Sequence, residues 1–283
     1  MASTPDPAAP ALQCVATPHP DIQPLPAFSD NYIWLWTDAA RRRAVVVDPG
    51  TATPVLEALA AQSLTLAAIL ITHHHPDHVG GVPALKASWP RAVVHGPRSS
   101  PATVLDCRHD EGDVLRIDGF EASLQVLAIP GHTLDHIAYY AERIGSDAQP
   151  VLFCGDTLFA GGCGRLFEGS PTQMATALER LSALPPQTRV YCAHEYTTSN
   201  LRFAAAVEPD NAALAARIEA TASLRAHDRP TVPSTVALER ATNPFLRTGE
   251  AAVHRAAEGA AQGPLATPTE VFAALRAWKD RFR

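Results

Sequence analysis

The run Thr72-His73-His74-His75-Pro76-Asp77-His78 follows directly on the apolar stretch AAILI and is closed by Val79-Gly80-Gly81. It sets His73, His75, Asp77 and His78 within six residues. Imidazole nitrogens and carboxylate oxygens suit borderline divalent ions, and packing alone does not call for such a cluster at the end of a buried strand. A polar turn after a strand would leave its density unexplained. Three later segments share this syntax: SLQVLAIPG runs into His132, PVLFCG into Asp156 and RVYCA into His194. Taken singly, each terminal residue reads as a hydrogen-bonded turn. Taken together they supply five histidines and two aspartates, enough donors for two ions. Strand ends of a rigid sheet are where such a preorganised site is most readily built, so the chain is expected to be a layered α/β protein.

The rest of the sequence agrees with that layering. Short runs rich in β-branched and aromatic residues (YIWLW, AVVVD, AAILIT, AVVH, SLQVLAIP, VLFCGD, RVYCAH) alternate with turn clusters and predict strands. Helical patterns fall at 54–64 and 171–184. Beyond Glu195 the character changes to Ala-rich helices at 211–227 and Ala251–Ala261, with no strand run of comparable quality. The last helix carries a capping box, Thr267 with Glu270, and Pro268 in its first turn. Its apolar stripe is Val271, Phe272, Leu275, Trp278 and Phe282, with Arg276, Lys279 and Arg283 on another face. Three segments follow: a loose Pro- and Ala-rich extension over 1–24, a catalytic domain over 25–195 and a helical domain over 196–283.

Composition narrows the function. A net charge of −6 argues against nucleic acid, and no apolar run approaches the length that spans a bilayer. The five cysteines are odd in number and form no C-x-x-C pair, which suits a reducing compartment. With no basic residue before Arg41 to build a secretory signal or transit peptide, the cytoplasm is expected. No glycine-rich phosphate loop is present.

The T-H-x-H-x-D-H run with its later His, Asp and His resembles the metallo-β-lactamase superfamily, and more narrowly glyoxalase II, the hydroxyacylglutathione hydrolases. The narrower likeness rests on Ser29-Asp30-Asn31-Tyr32, Gly162-Cys163-Gly164-Arg165, Phe167-Glu168-Gly169, His194-Glu195-Tyr196-Thr197, Val207-Glu208-Pro209, Asn243-Pro244-Phe245 and the tail from Arg276 to Asp280. It implies a four-layer αββα sandwich followed by a C-terminal helical domain. It also implies two divalent metal ions, zinc first, with iron or manganese as substitutes. His73, His75 and His132 would bind the first, Asp77, His78 and His194 the second, and Asp156 both. The implied reaction is hydrolysis of S-(2-hydroxyacyl)glutathione, such as S-D-lactoylglutathione, by a hydroxide held between the ions, with Asp77 and Asp156 as the catalytic carboxylates. Arg165, Phe167, Tyr196, Arg276 and Lys279 would hold the tripeptide, with phenylalanine at 167 where many relatives carry tyrosine. The partner is then a small-molecule glutathione thioester acted on by a monomer, in methylglyoxal detoxification. A broad thioesterase, a lactonase or an iron persulfide dioxygenase on the same fold is the alternative.

Several residues are left over. His74, between two proposed ligands, is expected to be structural or solvent-facing, and His136 to orient a neighbour. His95 and His109 show no partner pattern, and Cys154 and Cys163 read as small buried fillers.

Overall fold

The computed structural model describes residues 14–282. One six-stranded sheet takes its strands in sequence order: β1 (Ile22–Ala27), β2 (Asn31–Thr37), β3 (Arg43–Val47), β4 (Thr65–Leu70), β5 (Val93–Pro97) and β6 (Cys107–His109). Helices α1 (Thr53–Ala61), α2 (Pro76–Val79) and α3 (Val82–Ser88) lie between them in the chain. The second sheet is built from β7 (Val114–Leu115), β8 (Leu124–Ala128), β9 (Ile137–Ala141), β10 (Val151–Gly155), β13 (Arg189–Cys192) and β14 (Ser234–Thr235), in the order β14-β13-β10-β9-β8-β7. A hairpin of β11 (Leu158–Phe159) and β12 (Gly162–Cys163) precedes helix α4 (Pro171–Ser182). After β13 come α5 (Thr197–Val207), α6 (Ala212–Arg225), α7 (Val236–Thr242), α8 (Ala251–Ala261) and α9 (Pro268–Arg281).

The period-two alternation of strand side chains explains the layers. On β2 and β3, Ile33, Leu35, Ala44 and Val46 join Val55 and Leu59 of α1 and Val82 and Leu85 of α3 in one core. The alternate residues Tyr32, Trp34, Trp36, Val45 and Val47 face the other way, into a core shared with Val126, Tyr139, Phe153 and Tyr191 of the second sheet. Burial on both faces is why these strands are almost unbroken apolar runs. Trp34 stands edge-on to Tyr191 with centroids 4.8 Å apart and donates its indole N–H to the Cys192 carbonyl at 2.9 Å. A capping box of Ser170 and Gln173 starts α4, which turns Met174, Ala177, Leu178 and Leu181 inward and packs against α7 and α9.

The N-terminal segment needs correcting. Residues 1–13 lie outside the described residues, but the expected loose extension over 1–24 does not hold up to its boundary. Ile22–Ala27 pairs antiparallel with β2, the His19 amide donates to the Tyr191 hydroxyl at 2.8 Å, and Arg189 donates to the Thr17 carbonyl at 2.7 Å. Pro24 and Pro26 broke the hydrophobic pattern in the sequence, yet an edge strand tolerates proline because its outer N–H groups have no partner to lose. The helical segment also returns to the sandwich: β14 pairs with β13, Thr235 opposite Arg189. A two-residue strand carries no periodicity that a sequence can betray.

Candidate metal centre

Each proposed ligand sits just past a strand. The Thr72 amide and hydroxyl donate to the two carboxylate oxygens of Asp48, at 2.8 and 2.7 Å, and this clamp ties the exit of β4 to the residue that ends the β3 run. His75 then occupies the cap position of the single turn α2, with Pro76 at its start, so that Asp77 and His78 come round to the same place. Gly155, at φ +48°, makes the turn from β10 to Asp156. A β-carbon there would lie 2.3 Å from the Thr72 hydroxyl, so glycine is required on both counts.

The donors converge. His73 Nε2 and His132 Nε2 each lie 3.1 Å from His75 Nδ1, and Asp77, His78 and His194 form a second group of closely spaced donors. Asp156 lies between the two. Its Oδ2 is 3.4 Å from His132 Nε2, and its Oδ1 is 3.3 Å from His194 Nε2 and 3.5 Å from His78 Nε2. His78 Nε2 and Asp156 Oδ1 are buried without a hydrogen-bond partner. Buried polar atoms are seldom left so, and divalent ions among these nitrogens and oxygens would satisfy them; the residues therefore fit a metal centre.

The distal ring nitrogens of His132 and His194 are held as ligands require. His132 Nδ1 is 2.8 Å from the Arg165 carbonyl and His194 Nδ1 2.8 Å from Asp30 Oδ1, whereas His78 Nδ1 lies 3.1 Å from Asp48 Oδ2 without forming a hydrogen bond. Asn31 donates to Asp77 Oδ2 at 3.1 Å. Burial, with His78 and His136 nearby, drives His73 well below the ordinary imidazole range, and burial also lowers His75 and His132. A neutral imidazole keeps the lone pair that a cation takes. Burial opposes ionisation of Asp156, but His78 and His194 hold its carboxyl well below the usual carboxylate range. His136, pushed by burial to about 3, stacks on His73 at 4.6 Å and accepts the Asp156 amide at 3.1 Å, the orienting part expected of it.

A cavity of about 530 Å³ joins this cluster to the residues expected to hold substrate, its lining including Asp156, Arg165, Phe167, Tyr196, Arg276 and Lys279. Phe167 is 63% exposed and stands edge-on to the His75 and His132 rings. Tyr196 stacks on His194, 4.7 Å away and 8° from parallel. Lys279 Nζ donates to the Ser199 carbonyl at 3.0 Å, and burial, followed by Arg276, Arg202 and Arg165, pulls it down to about 8. The expected basic face of the last helix is only partly realised. Arg276 is 6% exposed, donates to the Cys163 carbonyl at 3.0 Å and pairs with Asp280 at 2.9 Å, while Arg283 lies outside the described residues.

His74 takes the structural part of the two expected of it: Nδ1 meets Asp135 at 2.9 Å and Nε2 meets Glu168 at 3.4 Å, linking three loops around the centre. His95 and His109 pair with each other at 3.0 Å, away from the cavity. Sequence reasoning passed over Asp48, although AVVVD has the same strand-to-ligand syntax. It also passed over Asn200 and Glu239, whose contacts are too distant in sequence to leave a local signal.

Two sheets with helices outside, carrying His and Asp donors at their strand ends, define a metallo-β-lactamase-type hydrolase. The family profile described as metallo-beta-lactamase superfamily matches residues 28–194, and the one described as hydroxyacylglutathione hydrolase C-terminus matches residues 195–282. Hydroxyacylglutathione hydrolases of Pseudomonas aeruginosa (strain LESB58) and Cupriavidus taiwanensis are 55% and 53% identical, over 92% and 93% of this chain and 99% of each relative. The chain belongs to the hydroxyacylglutathione hydrolase family. Among solved structures, ETHE1 from Myxococcus xanthus aligns at TM-score 0.59 and 26% identity, over 93% of this chain and 99% of that one. A di-iron-bound form of TTHA1623 aligns at 0.51 and 27%, over 82% and 99%. No helix among the described residues is long and apolar enough to cross a membrane.

Proposed function

We propose that this chain hydrolyses S-(2-hydroxyacyl)glutathione thioesters, S-D-lactoylglutathione foremost, to glutathione and the 2-hydroxy acid, as a cytoplasmic monomer in methylglyoxal detoxification. The observation that carries this reading is one cavity whose wall joins the His/Asp cluster to Arg276 and Lys279 of the helical segment. His73, His75 and His132 would hold one divalent ion and Asp77, His78 and His194 a second, with Asp156 shared; zinc is the first choice. Such ions lower the pKa of bound water toward neutrality and polarise a carbonyl oxygen. The di-iron relative supports a two-ion centre on this fold.

The chain's own residues do the rest. Asn31 fixes the Asp77 carboxylate, and Asp30 and the Arg165 carbonyl fix the outer nitrogens of His194 and His132. Phe167 and Tyr196 wall the site from opposite ligand groups. Arg165 and Lys279 offer cations to the carboxylates of glutathione, and Arg276, already paired with Asp280, contributes from a fixed position. The leaving thiol, with a pKa of about 8.5, departs as thiolate without a dedicated acid. An iron persulfide dioxygenase is disfavoured, since one ion would not need both donor groups. Five free cysteines agree with a reducing compartment.

The test is hydrolysis of S-D-lactoylglutathione by metal-loaded protein, followed by thiol release. Turnover far above background is expected, and turnover at background would overturn the reading.

A further inference from the structure

Side chains from the helical segment hold several main-chain groups of the β11–β12 hairpin. Asn200 of α5 donates to the Ala160 carbonyl at 3.2 Å, and the Gly161 amide donates to Glu239 of α7 at 2.8 Å. Asn243 donates to the carbonyls of Phe159 and Gly162 at 3.3 and 2.9 Å, and Arg276 of α9 to that of Cys163 at 3.0 Å. Five consecutive residues thus have a main-chain group held from outside the sandwich. Behind them, Glu239 and Asn243 are fully buried. The second Glu239 oxygen takes Arg217 and Ser234, while the first also accepts Asn243 at 2.9 Å.

Burying a charged pair is weak evidence for stability, because desolvation offsets most of the attraction; its clearest use is to fix one arrangement among several. What this arrangement fixes lies just beyond the hairpin. The Gly164 amide donates to the Thr157 carbonyl at 3.1 Å, and a β-carbon on Gly164 would fall 1.9 Å from the Asp156 carbonyl oxygen, so the strand lies flush against the shared carboxylate residue. The next carbonyl, that of Arg165, faces His132 Nδ1, and the Phe167 amide donates to the His132 carbonyl at 3.2 Å.

We infer that Glu239, Asn243 and Asn200, with Glu239 backed by Arg217, are positioning residues for the metal centre: together they hold the hairpin where the Arg165 carbonyl orients His132. The helical segment thereby helps to build the catalytic centre as well as to hold substrate. This rests on the reading that His132 binds metal.

The variants are Asn243→Asp, which keeps the oxygen that caps Phe245 but replaces the donating amide, and Asn200→Ala, which removes one bond to the hairpin. Each is compared with wild type and His132→Ala by cobalt(II) titration and visible absorption, with far-UV circular dichroism to establish folding. Loosening of an outer-shell partner typically lowers metal affinity about 10–100-fold. We expect a loss of that order for Asn243→Asp and a smaller one for Asn200→Ala, each with an altered cobalt spectrum. If either folded variant keeps the wild-type spectrum and affinity, the inference is overturned, and if Asn243→Asp does not fold, Asn200→Ala decides. A His132→Ala protein that binds cobalt as wild type does would overturn it by removing its premise. Failure of thioester turnover in a wild type that binds cobalt through His132 would count against the substrate alone.

Discussion

Lys279 is a cation held where burial and three arginines work against its charge, and its ammonium is pulled down to about 8. A depressed lysine loses its proton as pH rises through that value, so its hold on a substrate carboxylate should fade on the alkaline side. The expected outcome is a KM for S-D-lactoylglutathione that climbs between pH 7 and 9, and a higher, pH-independent KM in Lys279→Met; a flat wild-type profile would contradict it. Phe167 offers the cavity a ring without a hydroxyl. Phe167→Tyr restores one polar group, and one added hydrogen bond of about 0.5–1.5 kcal/mol corresponds to a KM about 2- to 10-fold lower, with kcat little changed. Steady-state kinetics of the two proteins check this. The donor residues were legible because they gather just past the ends of apolar runs. Their supports were less so. Asp48 lies 24 residues from Thr72 and Glu239 lies 78 from Gly161, and nothing local marks a partner that only the fold brings near.

Elements were legible where a local signal and a tertiary demand coincide. The capping box at Thr267 and the pattern at Ala251–Ala261 became α9 and α8 at those positions. Where the two part, the sequence misleads. β1 contains two prolines and lies at a sheet edge, and α5 opens on Thr-Thr-Ser-Asn, poor helix formers that are held by burial of Leu201, Phe203 and Val207. Because α9 carries both Arg276 and Lys279, its cap bears on the site as well as on stability. Thr267→Ala removes the acceptor of the Glu270 amide at 3.2 Å and should lower stability by about 1 kcal/mol. A thermal melt should then shift down by about 2–4 °C; an unchanged melting temperature would mean that packing of Val271, Phe272 and Leu275 sets the helix alone.

At the scale of the whole molecule, the net charge of −6 hides an uneven distribution. The sandwich supplies the imidazoles and the two aspartates, and the helical segment supplies cations to the same cavity. A small anionic thioester suits that arrangement and a nucleic acid does not. The layered fold could be read from the chain, whereas the return of β14 to the sandwich and the grip of four side chains of the helical segment on the hairpin could not, since both arise from contacts between segments of different character. The central claim is that seven side chains hold two ions that make this cavity a thioester hydrolase. It is tested most directly by titrating metal-free protein with zinc while following S-D-lactoylglutathione hydrolysis. Activity should climb to a plateau at about two equivalents per chain. A plateau at one equivalent, or no hydrolysis at any, would contradict the account.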